Sequence, residues 1–188
     1  MKFEYYTPDT APDDAKSLME ESISTFGMLP NLHRILAEAP ITYKAYNDAF
    51  GSFMQASSLT PLEQQVVFMA SNVFNRCHYC IPGHTWMMKT QNMPEDVIVS
   101  LRQAKPINDE KLETLRLFTI ELWEKHGHVE SKTLEKIAQV GFSKQQILEV
   151  LTGMSAKLIS NYANAIAQTE LDEPMQKYAW SSTETTTL

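Results

Sequence analysis

Cysteine is scarce in this sequence. Only 2 of the 188 residues are cysteine, and both lie in one run, Cys77-His78-Tyr79-Cys80. A chain of this length buries enough surface to form a hydrophobic core without cross-links, so a small disulfide-stabilised scaffold is excluded. The length is that of one ordinary domain, and we predict a single domain over residues 1–188 with a polar C-terminal tail from about residue 173.

Positive charge and long apolar runs are also lacking. The formal net charge is −7, which disfavours binding to nucleic acids and to anionic membrane surfaces. Val66–Ala70 is among the longest apolar runs, far short of the ~18 residues of a membrane span. The N-terminus has no apolar leader pattern. We therefore expect a cytoplasmic protein whose cysteines are reduced by default.

Alternating strand patterns are absent, and helix signals recur along the chain. Thr60 with Glu63 and Ser143 with Gln146 form two capping-box patterns, each followed by apolar residues at helical spacing. The pattern predicts an all-α, compact multi-helix fold with roughly seven to nine helices in two similar helical units. On the last helix, the residues predicted to form one apolar face are Ile147, Leu151, Met154, Leu158 and Tyr162.

The pair of cysteines carries the chemistry that the sequence predicts. Pro82 is tolerated only in the first turn of a helix, so the helix begins between Cys77 and Ile81. Cys80 then lies at the positive end of the helix dipole, which lowers a thiol pKa. His84 follows four residues later on the same face and is the predicted base.

The predicted reaction is a thiol cycle. The Cys80 thiolate attacks a peroxide and becomes a sulfenic acid, and Cys77 then condenses with it to a disulfide. An external dithiol must reduce that disulfide. The pattern implies no metal, flavin, haem or other bound cofactor.

Around these residues the sequence resembles the alkylhydroperoxidase D-like, peroxidase-related branch of the carboxymuconolactone decarboxylase superfamily. The resemblance covers about residues 15–172. The segments that carry it are Gly27–His33, Thr60–Val67, Asn75–Cys80 with His84, Gly141–Ser143 and Asn161–Asn164.

The resemblance implies properties that the residues alone do not. It implies an all-helical fold, a homo-oligomer (trimer, hexamer or dimer) and thiol peroxidase or disulfide reductase activity of the peroxiredoxin kind in antioxidant defence. It also implies a small peroxide or disulfide substrate and a lipoyl-bearing or thioredoxin-like protein as the reductant.

The sequence departs from the family pattern at two positions. Gln65 stands where the pattern has a relay glutamate, and Tyr79 stands where it prefers a histidine. An amide does not exchange a proton as a carboxylate does, so the strict proton relay is broken. Glu63 is close in sequence but points to another helix face. We keep Gln65, Tyr79 and Glu63 as candidate relay or pocket residues.

Several alternatives stay open. Cys77 and Cys80 are read instead as two buried small apolar residues, or with His84 as an incomplete zinc site that lacks a fourth ligand. A protein with this fold also fits a non-catalytic binding role, a slow redox sensor, or decarboxylase-type chemistry on a small molecule, although that chemistry needs no cysteine pair. His33 and His78 are expected to be surface or turn residues, and the tail is expected to be loose.

Overall fold

The computed structural model describes residues 1–184, and in this range the chain is helical with no strand. The predicted all-α class is therefore confirmed. No helix within residues 1–184 is long and apolar enough to cross a membrane. The α-helices are α1 Asp13–Phe26, α2 Asn31–Leu36, α3 Pro40–Ala56, α4 Pro61–Phe74, α5 Cys80–Thr90, α6 Glu95–Arg102, α7 Glu110–Glu124, α8 Ser131–Gln139 and α9 Lys144–Ala167. Two 3₁₀ helices follow at Glu173–Tyr178 and Ser182–Glu184.

Both predicted capping boxes are present at the helix starts. The Thr60 hydroxyl accepts a hydrogen bond from the backbone N–H of Glu63, and the Glu63 carboxylate accepts one from the N–H of Thr60. Ser143 and Gln146 exchange the same pair of bonds at the start of α9. These bonds satisfy N–H groups that have no partner inside a helix, which is why the local sequence predicts where α4 and α9 begin.

Helix α4 forms the centre of the core. All residues from Glu63 to Val73 are buried. α4 packs against α7 on one side and against α9 and α5 on others. Helices α3 and α9 approach each other closely because Gly153 has no side chain: a Cβ there would lie 2.9 Å from ring atoms of Phe53. Helices α2, α3, α5 and α9 each contribute residues to the wall of one cavity.

The prediction that α9 turns this apolar face toward the core is wrong. Leu151, Leu158 and Tyr162 are 47%, 42% and 50% exposed, whereas Met154 of the same set is largely buried. Half of the buried residues of α9 are instead polar, and these are Lys157, Ser160, Asn161 and Asn164. Several of these polar groups find partners on α4 and α5, so the helix turns its polar side inward and leaves an apolar stripe at the surface.

The expectation of a loose tail is also wrong for residues 173–180. Met175 is buried and packs against α5, where its sulfur would lie 3.4 Å from a Cβ added at Gly83. The Arg102 guanidinium donates to the carbonyl of Tyr178 at 3.0 Å, and the indole N–H of Trp180 donates to the carbonyl of Arg102 at 3.2 Å. The C-terminal segment therefore closes over α5. Residues 185–188 lie outside the described residues.

Candidate active site

The cysteine pair lies at the turn between α4 and α5. Arg76 adopts a positive φ of 51°, and the Cys77 N–H then donates to the carbonyl of Asn72 at 2.9 Å. Cys80 is the first residue of α5, within the predicted range for the helix start. Its N–H donates to the sulfur of Cys77 at 3.3 Å. Both cysteines are free thiols, and their exposed fractions are 2% and 4%.

The polar face of α9 supplies hydrogen-bond donors to this turn. The Asn164 side-chain amide donates to the sulfur of Cys80 at 3.3 Å. Asn161 donates to the side-chain oxygen of Asn72 at 2.9 Å, and Asn72 donates to the carbonyl of Cys80 at 3.5 Å. A donor directed at sulfur favours the thiolate over the thiol.

Lys157 is a component of the site that the sequence reasoning missed. Its side chain is 1% exposed, and its Nζ lies 2.6 Å from Nε2 of His84. The same Nζ lies 4.5 Å from the ring centre of Phe68 and 5.6 Å from that of Phe50. Within residues 1–184 no carboxylate is within ion-pair distance of Lys157. A buried ammonium needs a counter-charge, and the Cys80 thiolate is the anion that the site offers.

His84 has different hydrogen-bond partners from the Cys80 thiol that was predicted. Its Nδ1 lies 2.8 Å from the side-chain oxygen of Gln65, which can only accept, so Nδ1 carries the hydrogen. Nε2 then accepts from Lys157. Burial, followed by the charge of Lys157, lowers the pKa of His84 well below its ordinary value, so the ring is neutral. Neither ring nitrogen bonds the Cys80 thiol, because Gln65 and Lys157 occupy both.

The electrostatics distinguish the two cysteines. Burial alone would raise the pKa of Cys80, but the hydrogen bond with Cys77 and the positive charge of Lys157 outweigh it. Together they lower the pKa of Cys80 from 9.0 to about 6. The pKa of Cys77 is raised, first by its hydrogen bond to Cys80 and then by burial. The site therefore holds a thiolate at Cys80 and a thiol at Cys77.

Cys80 forms part of the wall of a small apolar cavity of about 60 Å³. His84 and Lys157 line the same cavity. Aromatic and aliphatic side chains make up much of the remaining wall, among them Phe26, Leu32, Tyr46, Phe50, Trp86 and Met175. A small apolar molecule in this space contacts the thiolate and the ammonium at once.

Tyr79 contributes its ring to the cavity and its hydroxyl to the packing of the chain. The hydroxyl donates to the Asp172 carboxylate and accepts the N–H of Leu32 at 3.3 Å. Asp172 in turn accepts the N–H of Asn31 at 3.1 Å. Burial and the neighbouring carboxylate raise the pKa of Tyr79, which keeps it neutral. Tyr79 thus ties α2, α5 and the C-terminal segment together, and its proton is directed to Asp172 and not to Cys80.

Glu63 has a structural position at the start of α4. Burial raises the pKa of its carboxyl, but the bonds from Lys111, at 2.7 Å, and Thr60 outweigh burial and lower it. Glu63 does not line the cavity. His33 was expected at the surface and is instead buried in the cavity wall, with Nδ1 3.0 Å from the Tyr43 hydroxyl. His78 is half-buried, with Nε2 2.9 Å from the carbonyl of Thr169.

The zinc alternative lacks a ligand set in the described part of the chain. No group of three or more histidine, cysteine, aspartate or glutamate side chains in residues 1–184 is arranged to hold a metal ion. His84, the predicted third ligand, already has both ring nitrogens hydrogen-bonded. Neutral imidazole binds zinc through a free nitrogen lone pair, and none remains on this ring.

Comparison with known proteins finds one matching family model and several solved structures of similar fold. Residues 40–121, which include both cysteines and His84, match the model of the carboxymuconolactone decarboxylase family. The fold is similar to that of a peroxidase-related protein from Ralstonia eutropha JMP134 described as an alkylhydroperoxidase AhpD core, with TM-score 0.80, 18% identity and 93% of each chain covered. The alkylhydroperoxidase D-like fold that the resemblance implies is confirmed.

Two further solved structures share the alkylhydroperoxidase D-like fold. A peroxidase-related protein from Silicibacter sp. TM1040 has TM-score 0.76 and 16% identity, over 92% of this chain and 91% of its own. A cysteine-to-alanine variant of the debrominase Bmp8, in complex with 2,3,4-tribromopyrrole, has TM-score 0.77 and 12% identity over 94% of each chain. No curated protein matches the sequence.

Proposed function

We propose that this protein is a thiol-dependent peroxidase that reduces small apolar organic hydroperoxides, with Cys80 as the nucleophile and Cys77 as the resolving thiol. The observation that carries the proposal is the position of Cys80 in the wall of an apolar cavity, with a pKa lowered to about 6 and a neighbouring thiol whose pKa is raised. A thiolate is the reactive form toward peroxides.

The proposed reaction balances in three steps. The Cys80 thiolate attacks one oxygen of ROOH, the O–O bond breaks, and Cys80 becomes a sulfenic acid as ROH leaves. Cys77 attacks that sulfur, and water leaves as the disulfide forms. A dithiol then reduces the disulfide and is itself oxidised. The backbone bond from Cys80 to the Cys77 sulfur, at 3.3 Å, supports the second step because it holds the two side chains next to each other.

The reductant is proposed to be an external dithiol, delivered by a lipoyl-bearing or thioredoxin-like protein, with no bound cofactor. The peroxidase-related description of two structural neighbours supports the peroxidase reaction that such a reductant would serve. An antioxidant role in the cytoplasm follows as part of the same proposal.

A second candidate is reductive dehalogenation of a small aromatic molecule. It is favoured by the aromatic wall of the cavity and by the neighbour described as a debrominase in complex with 2,3,4-tribromopyrrole. In this reaction the two thiols supply two electrons, carbon gains a proton, and bromide leaves. Both candidate reactions therefore end in the Cys77–Cys80 disulfide, and their products distinguish them.

One experiment tests the proposed function. Reduced protein is mixed with one equivalent of cumene hydroperoxide, and the expected result is the loss of both free thiols with a mass decrease of two hydrogens. With excess dithiol we expect continuous formation of cumyl alcohol. The parallel reaction with 2,3,4-tribromopyrrole is followed by bromide release. A protein that keeps both thiols in the presence of the hydroperoxide contradicts the peroxidase proposal, and bromide release in that case favours the second candidate.

We also propose that the protein is a homo-oligomer that associates through α9. The exposed apolar side chains on this helix recur at spacings of three, four or seven residues and share one face, and they are Leu148, Leu151, Leu158, Tyr162 and Ile166. Contiguous exposed apolar surface of this kind marks an interaction site, and a second copy of the same helix offers a matching stripe.

Glutamate at Leu151 and Leu158 together is expected to dissociate the oligomer, because like charges then face each other across the symmetric contact. Light scattering coupled to gel filtration gives the mass, and the variant is expected at the 21.4 kDa of one chain. Leu117→Glu is the matched control, since Leu117 is an exposed leucine on α7 outside the stripe. A wild-type protein that already elutes at 21.4 kDa contradicts the proposal.

A further inference from the structure

The buried ammonium of Lys157 stabilises the Cys80 thiolate, but the three steps of the thiol cycle use no proton from it. Lys157 lies at the boundary between the His84 ring and the cavity that holds Cys80. Its Nζ lies over the rings of Phe50 and Phe68. Burial of a charged group in such a position costs free energy that a lysine at the surface would not lose. The fold therefore holds an ammonium in the wall of the cavity that the reacting sulfur of Cys80 also lines.

The reaction at Cys80 needs a proton donor. When a thiolate breaks the O–O bond of an alkyl hydroperoxide, the departing oxygen leaves as an alkoxide, which is strongly basic. The cavity wall is largely apolar and offers little solvent to protonate it. A positioned acid lowers the barrier of such a step by typically about 10²–10⁴-fold in rate.

We propose that Lys157 is a catalytic residue, the proton donor to the leaving atom of the bond that Cys80 breaks. The inference rests on the proposed function and deepens it, since it identifies the residue that replaces the missing relay carboxylate at Gln65. His84 then acts as a positioning residue: its Nδ1–H is held by Gln65, so Nε2 is available to accept from Lys157 and to orient the ammonium.

The proton count closes over one cycle. Before the reaction the site holds the Cys77 thiol, the Cys80 thiolate and the Lys157 ammonium. Attack on ROOH forms the S–O bond, breaks the O–O bond and moves one proton from Lys157 to the alkoxide, which leaves as ROH. Disulfide formation releases water and leaves Lys157 as a neutral amine. Reduction by a dithiol supplies two protons, and these restore the Cys77 thiol and the Lys157 ammonium while Cys80 returns as the thiolate.

The other groups around Lys157 are less suited to this task. The titratable groups that line the cavity with Lys157 are His33 from α2, Tyr46 from α3, Tyr79 from the turn before α5, and Cys80 and His84 from α5. The hydroxyl proton of Tyr79 is directed to Asp172. The charge of Cys77 also acts on Lys157, and α4 presents the uncharged Gln65 to His84. Burial lowers the pKa of His33 to about 3 and that of His84 well below its ordinary value, so neither ring carries a spare proton. Burial raises the pKa of Tyr46, which makes its hydroxyl a weak acid.

The pKa of Lys157 itself supports the assignment. Burial lowers it from 10.5, although the negative charges of Cys80 and Cys77 act in the opposite direction. A lysine with a lowered pKa gives up its proton to an alkoxide more readily than an exposed lysine does. The loss of the Cys80 negative charge in the sulfenic acid removes the group that favoured the ammonium, so the proton transfer and the oxidation of sulfur assist each other.

The test separates proton donation from simple charge stabilisation. In a Cys77→Ser background, where only the first step proceeds, the Cys80 rate constant is measured against pH for Lys157 and for Lys157→Met. Three reagents are used: iodoacetamide, whose iodide leaving group needs no proton; tert-butyl hydroperoxide; and 2-hydroxyethyl disulfide, whose aliphatic thiolate benefits from one. Each rate constant is divided by the fraction of Cys80 thiolate, which the iodoacetamide profile of the same protein gives, and the corrected values are compared at pH 7, where the proposal has Lys157 as the ammonium.

We expect Lys157→Met to lower the thiolate-corrected rate constant for the hydroperoxide by about 100-fold or more, and that for the aliphatic disulfide in the same direction, while the thiolate-corrected rate constant for iodoacetamide stays within about 3-fold. Equal losses with all three reagents, or no loss with any, overturn the proposal. Methionine matches the shape of the lysine stem without its charge, and circular dichroism checks the helical content.

Lys157→Arg provides a second variant. Arginine keeps the positive charge but does not release its proton at these pH values. The variant is expected to keep a Cys80 titration near that of wild type and to lose the hydroperoxide rate, and a full hydroperoxide rate in Lys157→Arg overturns proton donation. A wild-type protein inert to hydroperoxide contradicts the proposed peroxidase function, while the comparison of the disulfide with iodoacetamide still decides the role of Lys157.

Discussion

Cys80→Ser is expected to abolish hydroperoxide consumption and to remove all thiol alkylation at pH 6–7, whereas Cys77→Ser keeps that alkylation and loses only disulfide formation. The reason is the difference between the two sulfurs: the pKa of Cys80 is lowered to about 6, and that of Cys77 is raised above its ordinary value. At pH 7 most of the Cys80 population is thiolate, and Cys77 remains a thiol. Mass spectrometry after iodoacetamide treatment identifies which cysteine has reacted.

The pH dependence provides the sharper readout. The alkylation rate of Cys80 is expected to rise through a midpoint near pH 6 and to level off above it. The midpoint matters more than the absolute rate, because a thiolate of low pKa is intrinsically less nucleophilic. Cys77→Ala removes the hydrogen bond to Cys80 and is expected to raise the midpoint, whereas Cys77→Ser retains a donor and is the matched control. A midpoint near 9.0, the ordinary value for cysteine, contradicts the assignment of Cys80 as the nucleophile.

The same shift links the ionisation of Cys80 to folding stability. Because the pKa of Cys80 is lower in the folded protein than in the unfolded chain, the thiolate contributes stability that is present above the unfolded pKa and is lost as the pH falls through about 6. Urea unfolding of the reduced protein is expected to show stability rising between pH 6 and 9. Cys80→Ser lacks this part of the pH dependence.

Much of the fold follows from local signals in the sequence. The capping boxes at Thr60 and Ser143 mark the starts of α4 and α9, and at the start of α7 the Asp109 side chain accepts the backbone N–H of Leu112. Pro82 restricts the start of α5 to the observed region around Cys80. These signals depend only on residues a few positions apart, so they determine the helix starts independently of the tertiary contacts.

The outcome at α9 depends on contacts that no local pattern reveals. One helix face of α9 carries the polar residues Lys157, Ser160, Asn161 and Asn164. Such a polar face is usually exposed to solvent. Another face carries Leu151, Leu158 and Tyr162, and an apolar face of this kind usually packs against the core. The assignment reverses because the polar face meets Cys80, His84 and Asn72, which are themselves buried and need partners. A single lysine among asparagines on a polar helix face is weak evidence for an active-site residue. Lys157 can be assigned to the site only once α5 is known to pack against this face.

The site around His84 shows the same limit. Gln65 and His84 are 19 residues apart and lie on consecutive helices, so their contact follows from the packing of α4 on α5. The sequence predicts that a carboxylate is missing at Gln65, which is correct. It does not predict that Lys157, far along the chain, supplies a charged group to the same imidazole.

A double-variant experiment at Gln65 tests whether lysine and glutamate are alternative solutions to one problem. Gln65 is fully buried, and its side-chain oxygen lies 2.8 Å from Nδ1 of His84. Gln65→Glu alone adds a buried negative charge that competes with the Cys80 thiolate for Lys157. We expect the alkylation midpoint of Cys80 to move upward from about 6, and the hydroperoxide rate at pH 6 to fall by about 5-fold for a midpoint shift of one unit, because the thiolate fraction drops from about one half to about one eleventh.

Gln65→Glu combined with Lys157→Met is expected to behave in the opposite way. With Lys157 gone, Nε2 of His84 is free, and the carboxylate holds Nδ1–H and raises the pKa of the ring, so the imidazole becomes able to exchange a proton in the cavity. The hydroperoxide rate of the double variant is expected to be at least about 10-fold higher than that of Lys157→Met alone. This recovery is a part of the rate acceleration that a positioned acid or base typically provides. Gln65→Met combined with Lys157→Met is the control, because it removes the amide without adding a carboxylate. If the effects of the two substitutions on the activation free energy of the hydroperoxide reaction are additive, Gln65 and Lys157 do not act through the same imidazole.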